Sequence, residues 1–570
     1  MKKEKRRRPA KERPAKTAGW GPWAWGGVLL FAVAAFLVYS PALNGPFLFD
    51  DLYLPYSMPG MERQPLVEWL RLMRPMLSFS FWLNFKLSGP EPLSYHVVNV
   101  LLHLANVGLV FLILRRLLRD DTRRDLFAAL AAGLFLLHPL ATESVAYAAS
   151  RSETLTAFFM LTALWIFTRR MEAGVGWAAS IVIVSLYGAA VLSKEQAAVL
   201  PAVFLLTDYF FNPGFSFQGV RRNWRIYGLL TVLAAAALAF VARVLIISDT
   251  AGFRVKDMPW HDYFWTQCRA VWHYIRLFVL PYGQNADPEF AVSRGPLSHG
   301  AIAGLLALAA VATAAMWYRK RFRLAAYGLL VFLALLAPTS SFIPIADPIA
   351  ERRMYMPSIG LLLVVLEFLR RSTASRETMI WIGVAVLSVA GYLTWSRNHV
   401  WASATALWES TVGGSPQKSR PRFHLAYAYY SLGRCDDAIA QYEKAATLEK
   451  PDHRLLVDLG LAYDCAGRAA DALKALERAA ALESTGHVWA TIGMVHAKQR
   501  RHAEALQALE KAEKLDGGFK MTYIYRGNIH LIDGQLDEAD AAYRRALALD
   551  PQDGLALDGL KKVAQRRQAR

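Results

Sequence analysis

The sequence predicts an all-α protein in two parts, a polytopic membrane domain of about eleven transmembrane helices followed by a solenoid of helical repeats. Three observations predict it. Of 570 residues, 54% are hydrophobic and 12% aromatic, and the mean hydropathy of +0.21 is higher than a soluble chain usually carries. Apolar runs alternate with short Arg-rich connectors. After about residue 416 the composition changes to Ala, Leu, Glu and Arg, repeating about every 34 residues.

The formal net charge of +19 sits in the first residues and in the connectors, which is the positive-inside pattern. Anionic lipid, and not nucleic acid, is the partner it implies. Cys268, Cys435 and Cys465 have neither metal-ligand spacing nor a disulfide framework, although a Cys435–Cys465 bridge would suit an oxidising compartment.

Residues 1–19 read as a basic cytoplasmic tail, 20–397 as the multispan domain, 398–418 as a linker and 419–570 as the repeats. The first apolar run, 20–43, lacks a small-residue cleavage site and reads as an uncleaved span. Residues 45–94 then lie outside, where Leu66, Trp69, Leu70, Met73 and Leu77 recur at the spacing of one interfacial helix. Further spans are expected near 95–114 and 125–138, then one running in to 169–170, then near 176–192, 197–211, 227–247 and 301–317, one exiting near 342, one near 356–369 and one exiting near 395. The stretch HDYFWTQCRAVWHYIRLFVLPYG is too polar to span and is placed in the interface or as re-entrant. An odd count puts the N-terminus in the cytoplasm and the repeats outside.

In the repeats, Gly460, Gly493 and Gly527 mark close-packing positions of the first helix, with Ala426 in the equivalent place. Ala438, Ala472, Ala505 and Ala539 share a position in the second helix, followed four residues on by Tyr442, Leu476, Leu509 and Tyr543, then by Ala445, Ala479, Ala512 and Ala546. The phase over four units identifies tetratricopeptide repeats, in which small residues admit the paired helix and large ones fill the interface.

Charged clusters stand at the outer ends of the apolar spans. Asp50-Asp51 follows the first span, where a carboxylate can take the proton of an incoming hydroxyl. A solvated pair ending a helix is the plainer alternative. Glu143, Tyr147 and Arg151, four residues apart, are expected on one helical face, with Arg151 holding a lipid-linked phosphate and Glu143 orienting it or the acceptor, or else as an ion pair fixing the loop. Lys194, Arg352, Arg353 and Arg74 are further candidates for the donor phosphate, and Glu195 and Glu351 for orienting substrate. His138, before Pro139, reads as structural. No P-loop, Rossmann fingerprint, HExxH or CxxC motif occurs, which argues against nucleotide-driven pumping and metalloprotease chemistry. No metal or cofactor is assigned, with a divalent ion at Asp50 and Asp51 left open.

Through FLFDD, RPMLSFSFWLNF, LLHPLATESVAYAASRSETL, LSKEQ, AERRMYMPS and SRNHVWASATALWEST, and then the repeats, the chain resembles the transmembrane and tetratricopeptide-repeat-containing protein O-mannosyltransferases and their bacterial relatives. The resemblance implies a glycosyltransferase C fold. It also implies an enzyme moving a sugar, mannose in that family, from a polyprenyl-phosphate donor to Ser or Thr hydroxyls of an external protein. An acidic residue of the first external loop is the base such enzymes imply, here Asp50 or Asp51; related mannosyltransferases favour Asp-Glu where this chain has Asp-Asp. The partners expected are the lipid-linked sugar, an acceptor protein or glycan, membrane lipid and a protein on the repeats. The plasma or inner membrane, or the endoplasmic reticulum, is the expected location, with catalytic loops and repeats on the external, periplasmic or lumenal side. Transfer to a surface glycan or lipid carrier, or a non-catalytic anchored repeat scaffold, are the alternatives.

Overall fold

The computed structural model describes residues 22–569 apart from 59 and 257, so the basic tail expected at 1–19 lies outside the described residues. Among the described residues the chain is helical, with a single isolated β-bridge between Ala251 and Ile345. It divides into two units: one running to Pro281 and from Val292 to His399, the other comprising Tyr282–Ala291 and the chain from Val400 onward.

In the first unit a helix stands on each of the eleven expected stretches. Five helical segments are long and apolar enough to cross a membrane unaided, at Trp25–Leu43, Pro92–Leu117, Trp224–Ile247, Ser298–Trp317 and Arg376–Ala402. Arg124–Leu137 and Pro139–Ala146 pass the same test together as a pair bent by 53°, and Trp177–Ser193 and Arg323–Leu336 are shorter apolar helices. Their outer faces stay uncovered, with Leu29, Leu30, Val232, Leu238, Leu306, Trp381 and Val389 all exposed. Apolar side chains in such number are stable only against lipid. Small residues set the internal packing. A Cβ on Gly328 would lie 2.4 Å from the Gly360 carbonyl oxygen, and one on Gly360 equally close to that of Gly328, so this pair lets Arg323–Leu336 and Pro357–Arg370 touch backbone to backbone.

The single interfacial helix expected over 66–77 is two helices, Leu66–Leu70 and Pro75–Ser88. Pro75 is the reason: it excludes helical geometry at Arg74 (φ −123°, ψ 80°) while opening the next helix. The polar stretch after Pro259 forms one helix, Trp260–Val279, whose buried face carries Asp262, Thr266 and Gln267.

In the second unit four helix pairs, from Ser419–Ser431 with Cys435–Leu448 to Lys520–Ile532 with Leu536–Leu549, build the repeats, and Gly554–Gln568 closes the array. The in-phase positions perform as their sizes require. A Cβ on Gly460 or Gly493 would sit 2.8 Å from Leu476 or Leu509, and one on Gly527 2.7 Å from the Tyr543 ring. The matching alanines are fully buried. Inside the stretch expected as a linker, Ala404–Gly414 is a helix packed on Ser419–Ser431. The Tyr282–Ala291 strap belongs to this unit: Asp287 accepts from Lys418 and Arg420, and Asn285 donates to Ser415 Oγ at 3.0 Å. Cys435 and Cys465 form a disulfide joining the first repeat to the second.

Candidate active site

The chain leaves its first span through a tight turn. Phe49 takes φ 51°, a left-handed conformation costly for a bulky residue, and the Asp51 side chain folds back to hold it. Asp51 Oδ2 accepts the Leu48 amide at 3.0 Å, and Oδ1 accepts the Ala149 amide at 2.6 Å and the Tyr56 hydroxyl at 3.4 Å. Asp51 is therefore buried and bound on both oxygens, pinning the first loop to the one before Arg151. Burial pushes its carboxyl up to about 7, against the two amides that favour the charge. Its neighbour differs. Asp50 is exposed, and its amide donates to Tyr147 Oη at 2.6 Å.

The expected helical face of Glu143, Tyr147 and Arg151 does not form. The helix Thr142–Ala146 ends at Tyr147, which is extended (φ −88°, ψ 120°), so spacing by four no longer aligns the three side chains. Glu143, nearly buried, takes the Arg352 amide at 3.0 Å and its guanidinium at 2.6 Å. Arg151 is wholly enclosed. Its guanidinium donates to Asn99 Oδ1 (2.9 Å), Asn84 Oδ1 (2.7 Å) and the carbonyls of Tyr95 (3.0 Å) and Ser80 (3.3 Å), and lies over the Phe81 ring. In this structure it is closed to a phosphate, because a buried charge is tolerated only when its donors are satisfied. Arg353 is likewise buried, donating to the carbonyls of Pro348 (2.9 Å) and Asp347 (2.5 Å), where it organises the preceding loop. Glu351 is buried at the start of the same 3-10 turn, Glu351–Met354. His138 has both ring nitrogens engaged, with the Leu140 amide and the Phe278 carbonyl, and is structural.

Three cations remain partly open. Arg74 meets Glu195 through two bonds of 3.0 Å; Lys194 pairs with Glu153; Arg352 is held by Glu143. Their side chains are 35%, 14% and 22% exposed, against none of Arg151. They form one cluster: Arg74 and Lys194 both feel the charges of Glu153 and Arg352, and Arg352 feels Asp50. Burial lowers the Lys194 ammonium from its ordinary value while Glu153 works to keep it charged. At Arg352 burial acts the same way, and Glu143 more than reverses it. Such an arrangement offers several positive groups beside an open carboxylate, the pairing suited to binding a phosphate and accepting a proton.

Sequence reasoning missed Glu153, a carboxylate one turn into an apolar helix, which is itself a signal. It also missed the buried stripe His96, Asn99, His103 and Asn106 in Pro92–Leu117, spaced three, four and three residues apart. Asn99 donates to the Val145 and Tyr147 carbonyls, and His103 Nδ1 meets the Tyr355 hydroxyl at 2.7 Å, so this stripe ties down the segments that carry Glu143 and Arg352.

The family described as dolichyl-phosphate-mannose-protein mannosyltransferase matches residues 73–246, and tetratricopeptide repeat families match 423–487, 486–518 and 521–553. The protein O-mannosyl-transferase F38B6.6 of Caenorhabditis elegans is 23% identical over 74% of this chain and 62% of its own length. Human TMTC1 is 23% identical over 78% and 58%, and mouse TMTC3 25% over 66% and 44%, so this chain spans only part of the curated relatives it matches. Among solved structures, the crystal structure of MamA aligns with 26% of this chain and 87% of its own at 24% identity and a TM-score of 0.24, too low to carry an argument. A segment matching the dolichyl-phosphate-mannose-protein mannosyltransferase family, followed by tetratricopeptide repeats, makes the chain similar in organisation to the protein O-mannosyl-transferases it matches.

Proposed function

We propose that this protein transfers a sugar, mannose by family likeness, from a polyprenyl-phosphate donor to Ser or Thr hydroxyls of a protein on the external side of the membrane. Asp50 is the base that takes the hydroxyl proton as the oxygen attacks the sugar carbon. Arg352, with Arg74 and Lys194, holds the departing phosphate. Glu143, Glu195 and Glu153 are positioning residues that aim those cations, and the repeats recruit the acceptor polypeptide. The observation carrying this reading is the opposite treatment of two adjacent carboxylates: Asp51 is spent on the amides of Leu48 and Ala149, while Asp50 stays open beside the Arg352 charge.

The test is transfer of a labelled sugar from a polyprenyl-phosphate donor by purified variants. Asp50→Asn removes proton acceptance and should lose roughly a hundredfold or more in kcat, as general-base catalysis predicts. Wild-type transfer by Asp50→Asn would end the assignment. The external placement of this loop and of the repeats is tested separately by a phosphatase fusion after Arg570, active only outside the cytoplasm.

A further inference from the structure

A second charged site lies at the far end of the same helices. Helix Arg151–Arg170 begins in the cluster around Glu153 and ends two residues before Glu172; twenty residues at 1.5 Å each separate the two by about 30 Å, the thickness of a bilayer core. There a cavity of about 370 Å³ is lined by Arg119, Arg222, Arg323, Glu172, Phe211 and Phe215.

The cavity is positive and cannot neutralise itself. Glu172 is divided between Arg116, at 3.0 Å, and Arg119. Arg222 is fixed in place by the Met171 carbonyl at 2.8 Å and by Asn212, neither of which carries a charge. Arg323 lies over the Phe211 ring at 5.0 Å, between the like charges of Arg370 and Arg119 and the carboxylates of Asp120 and Glu367, which are themselves paired with Arg119 and with Arg370 and Arg371, and it makes no hydrogen bond or ion pair with the described residues. An arginine held beside other arginines, with the nearby carboxylates already taken by them, is stabilised by an anion from outside, and its planar donor fork matches a phosphate. The loop that walls the cavity is built and held: Gly214 and Phe215 are both left-handed (φ 76° and 55°), and Asn212 bonds back to Asp208 at 3.0 Å.

The surroundings specify the source of the phosphate. Trp177 and Trp224, which open their helices, and Trp317, which closes its own, are 49%, 57% and 78% exposed, with Arg225 against the first two. Exposed tryptophans ringing basic residues mark a headgroup zone. We infer that this cavity binds the phosphate headgroup of an anionic phospholipid, in the leaflet opposite the candidate active site, with Arg323 as its principal cation and Arg119 and Arg222 alongside.

The test uses the full chain in detergent, stripped of lipid and titrated under native mass spectrometry with phosphatidylglycerol, phosphatidylcholine and inorganic phosphate. Phosphatidylglycerol is expected to bind preferentially. Arg323→Gln should weaken it about fivefold, the effect of one cation at a lipid surface. Arg323→Lys should keep most of the affinity, and Arg254→Gln, outside the cavity, should change nothing. A photoactivatable phosphatidylglycerol should label residues 210–223 of the unsubstituted protein, a result independent of whether any variant folds. Equal binding by wild type and Arg323→Gln, equal binding of the two lipids, or labelling only elsewhere would each overturn the proposal. Inorganic phosphate that phosphatidylglycerol does not displace would assign the cavity to a free anion and overturn the lipid.

Discussion

Glu143 grips Arg352 twice, by its backbone amide at 3.0 Å and its guanidinium at 2.6 Å, across 209 residues of sequence. One carboxylate thus sets both the position of the 3-10 turn and the direction of the side chain that the proposed reaction uses.

Glu143→Gln keeps an acceptor for the amide but loses the charge that aims the guanidinium. Transfer should fall on the order of a hundredfold, the effect of a misplaced catalytic group. Combining it with Arg352→Ala should add little, because the two act as a unit. Additive losses in steady-state kinetics would separate their roles.

Asp51 makes stability depend on pH. Its folded carboxyl titrates near 7 against an ordinary 3.8, so the folded protein holds this proton more tightly than the unfolded chain. The contribution is fully present below about pH 4 and is lost as pH rises through about 7. The difference in melting temperature between wild type and Asp51→Asn, measured in detergent, should shift steadily across that window and be flat above it.

Gly493→Ala sets helix propensity against packing. Alanine gains about 1 kcal/mol of propensity, but its Cβ would lie 2.8 Å from Leu509 and 3.1 Å from the Ala505 carbonyl oxygen. Overpacking of that kind costs about 1–3 kcal/mol, so net destabilisation is expected. Gly554→Ala, with nothing within 4 Å, should be neutral or stabilising in the same thermal melts.

The Cys435–Cys465 bridge closes a separation of 30 residues and should stabilise the repeats by about 3 kcal/mol. In cells, both thiols should resist maleimide until a reductant is added. Ready labelling without reductant would place the repeats in a reducing compartment.

The repeats and the helices of the first unit were legible because their signals are repetitive: apolar runs between Arg-rich connectors, and small and large residues in phase. Charges at the ends of apolar runs also pointed to loops that the structure brings together, since ionisable groups there are costly without a task. Pairing was not legible. Nothing in the spacing of Glu143, Tyr147 and Arg151 shows that the helix stops at Ala146, which sends the three side chains to Arg352, to Asp50 and into the core. Nor does composition separate Arg352 from Arg353, adjacent in sequence, one partly open and one consumed by carbonyls. The stripe from His96 to Asn106 was written at helical spacing but masked by the hydrophobicity around it.

The enclosure of Arg151 bears on the order of biogenesis. All four of its acceptors, from Ser80, Asn84, Tyr95 and Asn99, precede it in the chain. During synthesis from the N-terminus they emerge first, so a waiting receptor meets the guanidinium when it arrives. A truncated nascent chain ending before Arg151 would leave the Asn84 and Asn99 side-chain oxygens without this donor, and quality-control proteases should find it in that state.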